Sequence, residues 1–393
     1  MKKIEILAPA GDIDRAKIAF LYGADAIYIG GKEYSLRANA QNFSINEINE
    51  ITKFAHSFKK KVYVTFNIIF HNEDLDGYKE YLNDLISCEI DAIILADPFL
   101  IPIIKKKYPD IKIILSTQNG AANIENVLFW KSEGVDRVVL ARELSKEEIK
   151  EIKDKTSMEL EVFIHGAMCT NFSGRCVLSN YFTNRDANRG GCAQICRYCF
   201  KINDNSNNIF AISPKDLNMA EHIGDLIKIG VDSIKIEGRM RSAYYLATVI
   251  SSYRRLVDAY YKEKLTPNLV VQEEKILQRV ANRESSTHFF KKKADVNDQY
   301  YVGRDEVSNQ DFLGFVLDYD ETTKILTLEE RNKFSTGDKV IIFGPNGFLY
   351  KFKIKEIYDE DMNVIDCARH AKQIIKLKVS RKIPKYSMMK IEI

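Results

Sequence analysis

Gly23-Ala-Asp25-Ala-Ile-Tyr-Ile-Gly30 occurs in altered form three more times along the chain. Its counterparts are Glu89-Ile-Asp91-Ala-Ile-Ile-Leu-Ala96, Gly134-Val-Asp136-Arg-Val-Val-Leu-Ala141 and Gly230-Val-Asp232-Ser-Ile-Lys-Ile-Glu237. In three of the four, a Gly stands where a helix needs its C-terminal stop. An Asp follows, and then a short, almost continuously apolar run. A run of that kind reads as a parallel strand covered on both faces. Similar runs at 5–9, 62–67, 113–117 and 161–166 alternate with the repeat strands at 26–30, 92–97, 137–142 and 233–238. Amphipathic helices are expected between them, as at 46–60, 75–88, 123–133 and 146–155. Eight strands with intervening helices predict an α/β fold, a (βα)8 TIM-like barrel. The repeat falls on strands two, four, six and eight, the pattern of duplicated (βα)2 units.

The even spacing breaks once, between strands seven and eight. The insert, about residues 165–229, contains five of the seven cysteines and a hairpin expected to pair 200–203 with 209–213. Insertions at the C-terminal end of a barrel strand build the active face. Helices are expected at 243–264 and 272–282. From 311 to the end the pattern becomes strand-rich with hairpin turns such as Gly344-Pro-Asn-Gly347. Two domains follow: residues 1–290 as the barrel and 310–393 as a small all-β barrel.

The 393 residues are 45% hydrophobic and 29% charged, which excludes collagen, coiled coil and global disorder. The formal net charge is only +3. It hides a basic C-terminal strand with Lys376, Lys378, Arg381 and Lys382, and a basic cysteine segment of the insert, residues 165–201, with Arg175, Arg185, Arg189, Arg197 and Lys201 against the single acid Asp186. Such stripes fit an RNA backbone; a lysine-defended edge strand is the bland alternative for the first. No apolar window suits a membrane span or a signal peptide, so a cytoplasmic protein without membrane contact is expected. His-Glu-x-x-His, Gly-x-Ser-x-Gly, P-loop and Gly-x-Gly-x-x-Gly motifs are absent from the sequence.

The insert's cysteines are Cys169, Cys176, Cys192, Cys196 and Cys199. Clustered thiols in a cytosolic chain of this size point to a metal or redox centre, and sets of four hold zinc or iron–sulfur clusters. Only Cys196 and Cys199 have the two-residue gap of a zinc knuckle, which tilts the reading toward iron–sulfur. Cys192-x3-Cys196-x2-Cys199 also has the spacing of a radical S-adenosylmethionine enzyme. However, it follows strand seven rather than strand one and leaves Cys169 and Cys176 unused. Around it, His165 ends strand seven, and Lys235 alternates with Glu237 on strand eight, a candidate acid–base pair. Arg37, Arg142 and Arg239 at strand ends are candidate forks for a carboxylate substrate.

Glu161-x-Phe-x-His-Gly-Ala-x-Cys169-x6-Cys176-x-Leu-Ser179 resembles the signature of the collagenase-like peptidase family U32. So do Asn188-Arg-Gly190, Cys192-Ala-Gln-x-Cys196-Arg197, Ser213-Pro-Lys-Asp-Leu217 and Lys235-Ile-Glu-Gly-Arg239. The likeness runs from Leu7-Ala-Pro-Ala-Gly11 into the C-terminal module, whose Arg331-Asn332-x-Phe334-Ser-x-Gly337-Asp338 looks like the tRNA-modifying branch. The resemblance implies a [4Fe-4S] cluster on Cys169, Cys176, Cys192 and Cys196. It also implies hydroxylation of a tRNA wobble uridine to 5-hydroxyuridine with prephenate, a small dicarboxylate, as co-substrate. Cys199 departs from the family's usual aromatic residue and leaves the fourth ligand open. Asn218 departs from the ligand position of the ubiquinone-type members. Other classes remain: an rRNA hydroxylase, a peptidase, or a non-catalytic iron–sulfur scaffold. A protein partner or a homo-oligomer is left open.

Overall fold

The computed structural model describes residues 3–36, 41–201, 209–281, 283–300 and 310–392. Eight parallel strands form the barrel. They are β1 (Glu5–Pro9), β2 (Ala26–Gly30), β3 (Lys61–Phe66), β4 (Ala92–Leu95), β5 (Lys112–Leu115), β6 (Arg137–Val139), β7 (Glu159–Gly166) and β8 (Ser233–Ile236). β8 pairs with both β1 and β7, which closes the ring. Buried Ile, Val, Leu and Ala dominate the strands, as the continuous apolar runs predict.

The repeat has a physical purpose. Each of its aspartates accepts a hydrogen bond from a backbone N–H of the preceding odd-numbered strand: Asp25 from Ile6 (3.0 Å), Asp91 from Val62 (2.8 Å), Asp136 from Ile113 (2.7 Å) and Asp232 from Leu160 (3.0 Å). A basic side chain meets each carboxylate: Lys60, His56, Lys105 and Lys153 in turn. The four copies are therefore four (βα)2 staples at the N-terminal end of the barrel.

Inside that end lies a buried charge network. Arg137 donates to Glu5 (2.7 Å), Glu161 (3.1 Å) and Glu159 (3.2 Å), while Lys235 donates to Glu161 (2.8 Å). Tyr63 and Ser233 donate to Glu5. Burial works against the charge of Arg137, but Glu5 and Glu161 overcome it and hold the guanidinium proton more tightly than usual.

The insert hairpin is shorter than expected: Phe200–Lys201 pairs with Ile209–Phe210, and residues 202–208 lie outside the described residues. Ser213 belongs elsewhere, because Ser213–Pro214 pairs with Gln299–Tyr300. Asp216–Asn218 adds antiparallel to the end of β7, an element the sequence pattern does not announce. Helix Ala243–Tyr261 packs along β1 and the first helix, Ile13–Leu21. The next helix, Pro267–Val280, starts earlier than the predicted 272 because Thr266 caps it and Pro267 is preorganised for its first turn.

The C-terminal domain is antiparallel and all-β. Its longer strands are β9 (Phe312–Asp320), β10 (Ile325–Glu330), β11 (Lys339–Gly344), β12 (Phe348–Lys353), β13 (Ile374–Lys378) and β14 (Met388–Ile391). They are ordered β12-β11-β14-β9-β10-β13 and continue into two short strands. It has its own core, including Leu326, Phe334, Ile342 and Ile375. It docks on the barrel through Tyr22, whose hydroxyl lies 2.8 Å from the Tyr386 carbonyl, through Tyr244 stacked on Phe312, and through Arg279 paired with Asp311. Among the described residues no helix is long and apolar enough to cross a membrane.

Candidate active site

The five thiols lie in a strap that crosses the C-terminal mouth of the barrel. Its tethers can be followed loop by loop. Ser173, in a left-handed conformation (φ 47°), donates from N and Oγ to Glu143 after β6 (2.7 and 2.8 Å). Phe172 lies over Gly120 after β5. Asn188 accepts from Ile69 N after β3, and Arg189 pairs with Glu73 (2.8 Å) and Asp74 (2.6 Å). Arg197 donates to Ser213 Oγ (2.5 Å), Pro214 O (2.6 Å) and Met168 O (2.9 Å), locking the last turn of the strap to its first.

Within the strap, Asn188 clamps the backbone of Cys176 from both sides, accepting from its N–H (3.2 Å) and donating to its carbonyl (3.0 Å). Leu178 N donates to Cys176 Sγ (3.4 Å). Burial raises the Cys196 thiol above its usual range; Arg197 pulls it down, while Cys169 and Cys192, close enough to act on it, push it up. Cys169, Cys192 and Cys199 are exposed, and Cys176 and Cys196 are half-buried. The donor set is soft sulfur with backbone N–H support, which suits an iron–sulfur cluster. Among the described residues no three Cys, His, Asp or Glu side chains gather as ligands of one metal ion.

Below the strap, Phe163 of β7 has two cations near its ring: the Arg142 guanidinium, from the loop after β6, at 3.8 Å and the Lys235 ammonium of β8 at 5.3 Å. Burial pushes the Lys235 ammonium below its ordinary range while Glu161 holds its proton on. Arg142 donates to the Ala167 carbonyl (2.7 Å) and has no carboxylate partner among the described residues. Arg239 is buried and reaches across to Ser35 Oγ (3.3 Å), Thr65 Oγ1 (3.4 Å) and the Leu36 carbonyl. Gly30 makes room for it: a Cβ there would stand 2.0 Å from Arg239 Nη1. Arg37 lies outside the described residues.

Two expected arrangements are corrected. Lys235 takes its acid from Glu161 and not from Glu237, which is half-buried one step beyond the end of β8. His165 does not face the thiols. It is buried against helix Ala243–Tyr261, with Nδ1 3.2 Å from the Tyr253 hydroxyl and its ring beside Tyr245. Burial lowers its pKa to about 3, so it is neutral at ordinary pH. A Cys–His protease dyad therefore finds no base in His165. The cause is a bulge: Lys235 pairs with Phe163, but Ile236 pairs with His165, so Ile164 is extra and the alternation of β7 breaks. Glu161, Arg137 and Glu143 escaped the reading of the sequence. The first two carried a usable signal, a charge placed inside an otherwise apolar strand.

The expected RNA contacts divide. Arg189 is committed to Glu73 and Asp74 after β3, and Arg197 to oxygens of the insert itself. Lys376 donates to the Glu360 carbonyl (2.7 Å), Lys378 lies over Tyr358 (5.0 Å) near Glu356, and Lys382 pairs with Glu321. Arg381 lies over Phe348 (4.9 Å) and Tyr350 (5.7 Å) on β12.

These features define a closed (βα)8 barrel with a thiol-bearing strap at its mouth and a docked antiparallel β-domain. The chain belongs to peptidase family U32: residues 11–300 match the family and 308–390 match the U32 C-terminal domain. It is similar to tRNA hydroxylation protein P1 of Bacillus subtilis (strain 168), with 47% identity over 402 residues, covering 99% of this chain and 95% of that protein. Similarity to tRNA hydroxylation protein P of Escherichia coli (strain K12) is 32% over 400 residues, covering 88% and 87%. A 23S rRNA 5-hydroxycytidine synthase of the same organism is 37% identical over 267 residues, covering 67% of this chain and 40% of that protein.

Proposed function

We propose that this chain hydroxylates tRNA at C5 of the wobble uridine to give 5-hydroxyuridine. In this reading Cys169, Cys176, Cys192 and Cys196 hold a [4Fe-4S] cluster, and prephenate is the small dicarboxylate partner. The observation that carries the reading is the end-to-end match, through barrel and β-domain alike, to relatives bearing the tRNA hydroxylation name. The shorter shared stretch with the rRNA synthase makes an rRNA target the weaker alternative. The strap contributes four sulfur donors with N–H support at Cys176, which fits the cluster's chemistry. When bound, the cluster supplies redox or Lewis-acid chemistry at the barrel mouth. Arg142 has the planar fork to bind a carboxylate and no acid competing for it among the described residues. Lys235, neutralised by Glu161, keeps positive charge near Phe163 without a net excess in the lumen.

Nucleoside mass spectrometry of tRNA from a deletion strain tests the reaction. Loss of 5-hydroxyuridine derivatives, restored by the wild-type gene, is expected. Unchanged levels, in a strain with no second enzyme for the same nucleoside, overturn the assignment. Anaerobic purification with an ultraviolet–visible spectrum and an iron count tests the cofactor; a colourless, zinc-loaded protein overturns the cluster.

A further inference from the structure

Three cations of the cysteine segment 165–201 remain once the bonds of Arg189 and Arg197 are counted. Arg175, Arg185 and Lys201 are exposed and make no ion pair among the described residues. The one acid between His165 and Lys201, Asp186, is occupied in capping Asn188 N (2.8 Å). Between these cations stand aromatic rings that the fold does not bury: Tyr181 is 84% exposed, Phe182 59% and Tyr198 52%. Two contacts bring their segments together. Ser179, on the short helix Leu178–Thr183 that carries Tyr181 and Phe182, accepts a bond from Ala193 N (3.0 Å). The Phe182 ring meets Phe200 edge-on at 5.8 Å.

Large rings left in water on a tethered, well-built strap mark a contact surface. The chemistry of the surface selects the partner. Cores of protein–protein interfaces are depleted in charge, whereas here exposed cations alternate with the rings along the chain. Single-stranded nucleic acid needs that mixture: π-faces for the bases and cations for the phosphates. Duplex RNA offers no free base faces to stack.

We propose that Tyr181, Phe182 and Tyr198, with Arg175, Arg185 and Lys201, form the platform on which the unpaired bases of an RNA loop stack. The inference rests on the tRNA reading and deepens it by naming which part of the tRNA meets the strap. The platform lies on the element that carries the thiols, so a loop seated there brings its splayed bases to the barrel mouth.

The test uses the full chain, a labelled anticodon stem–loop, and the same stem extended into a loopless duplex. For Tyr181→Ala/Phe182→Ala, stem–loop affinity is expected to fall at least about tenfold, on the scale of losing one or two stacked bases. Duplex affinity should hold, and Tyr181→Phe should retain wild-type binding. In turnover, KM for tRNA rises while kcat at saturation is kept. Arg175→Glu/Arg185→Glu provides a second measurement, with weaker binding and a shallower salt dependence expected, since each lost phosphate contact removes about 0.7 from the slope. Unchanged stem–loop affinity in a folded double-alanine variant overturns the proposal, as does an equal loss for loop and duplex. Loss of self-association with RNA binding intact also overturns it and assigns the surface to protein contact. If the wild type modifies tRNA while the variants match it, only the platform fails. If the wild type neither binds nor modifies tRNA, the functional reading itself fails.

Discussion

The two ends of the barrel are built on opposite principles. At the N-terminal end the buried charges are answered: four aspartate staples hold backbone N–H groups, and Arg137, Glu5, Glu161 and Lys235 satisfy one another in the lumen. At the C-terminal end the chain leaves things open: exposed thiols, bare aromatic rings, an arginine fork with no carboxylate among the described residues, and a glycine kept small so that Arg239 can pass. Saturation at one end and unmet valence at the other separate stability from chemistry, as barrels do in general.

Arg137→Met strikes the saturated end hardest. It leaves Glu5 and Glu161 buried without their cation and is expected to cost about 3–5 kcal/mol in urea unfolding. A cost below about 1 kcal/mol would remove the network from the stability account. At the open end, Gly30→Ala places a methyl group 2.0 Å from Arg239 and 2.3 Å from Ser35 Oγ. Its stability cost should be about 1–3 kcal/mol, while kcat/KM falls by about 10²-fold through the displaced guanidinium. Equal losses of activity and stability would erase the distinction between the two ends.

His165 tests the boundary, because it sits at the open end yet faces the outer helices. Its pKa is lowered to about 3 in the fold, against about 6.5 in the unfolded chain. Between those values the unfolded chain binds the extra proton. The stabilisation is therefore complete above about pH 6.5 and is lost as pH falls toward 3, by up to about 1.4 kcal/mol per pH unit. His165→Gln should flatten that slope in pH-dependent unfolding, with kcat preserved above pH 7. A variant as stable as wild type but inactive would move His165 into the site. The smallest effect belongs to the β-domain. Lys382→Ala removes a surface pair with Glu321 and should change stability by no more than about 1 kcal/mol. It should also lower the salt slope of tRNA binding by about 1 if Lys382 meets a phosphate. An unchanged slope assigns it to the surface pair alone.

The strands were readable because parallel strands buried on both faces leave continuous apolar runs, and the repeat was readable because its Asp has one job in four places. Boundaries moved by a few residues where β6 ends at Val139 while the apolar run continues to Ala141. The cysteine strap announced itself by spacing, but its tethers did not: Glu143 to Ser173 and Arg189 to Asp74 join positions far apart in sequence. His165 turns from its expected side because period-two alternation assumes an unbroken strand, and the extra Ile164 shifts the register of β7. Lys235 differs for another reason: Glu237 lies beyond the end of β8, whereas Glu161 on the neighbouring β7 is within reach. The basic residues were counted correctly as charges, yet a count cannot tell Arg197, bound to three oxygens of its own chain, from Arg185, bound to none among the described residues.

The position of the strap in the chain has a consequence for biosynthesis. β8 closes the barrel by joining β7 to β1, and it follows the last strap cysteine in sequence. On the ribosome the five thiols emerge before the strand that completes the ring beneath them. Until β8 is made, the strap has only the open sheet of β1–β7 beneath it, so the thiols precede the closed mouth that they come to cover.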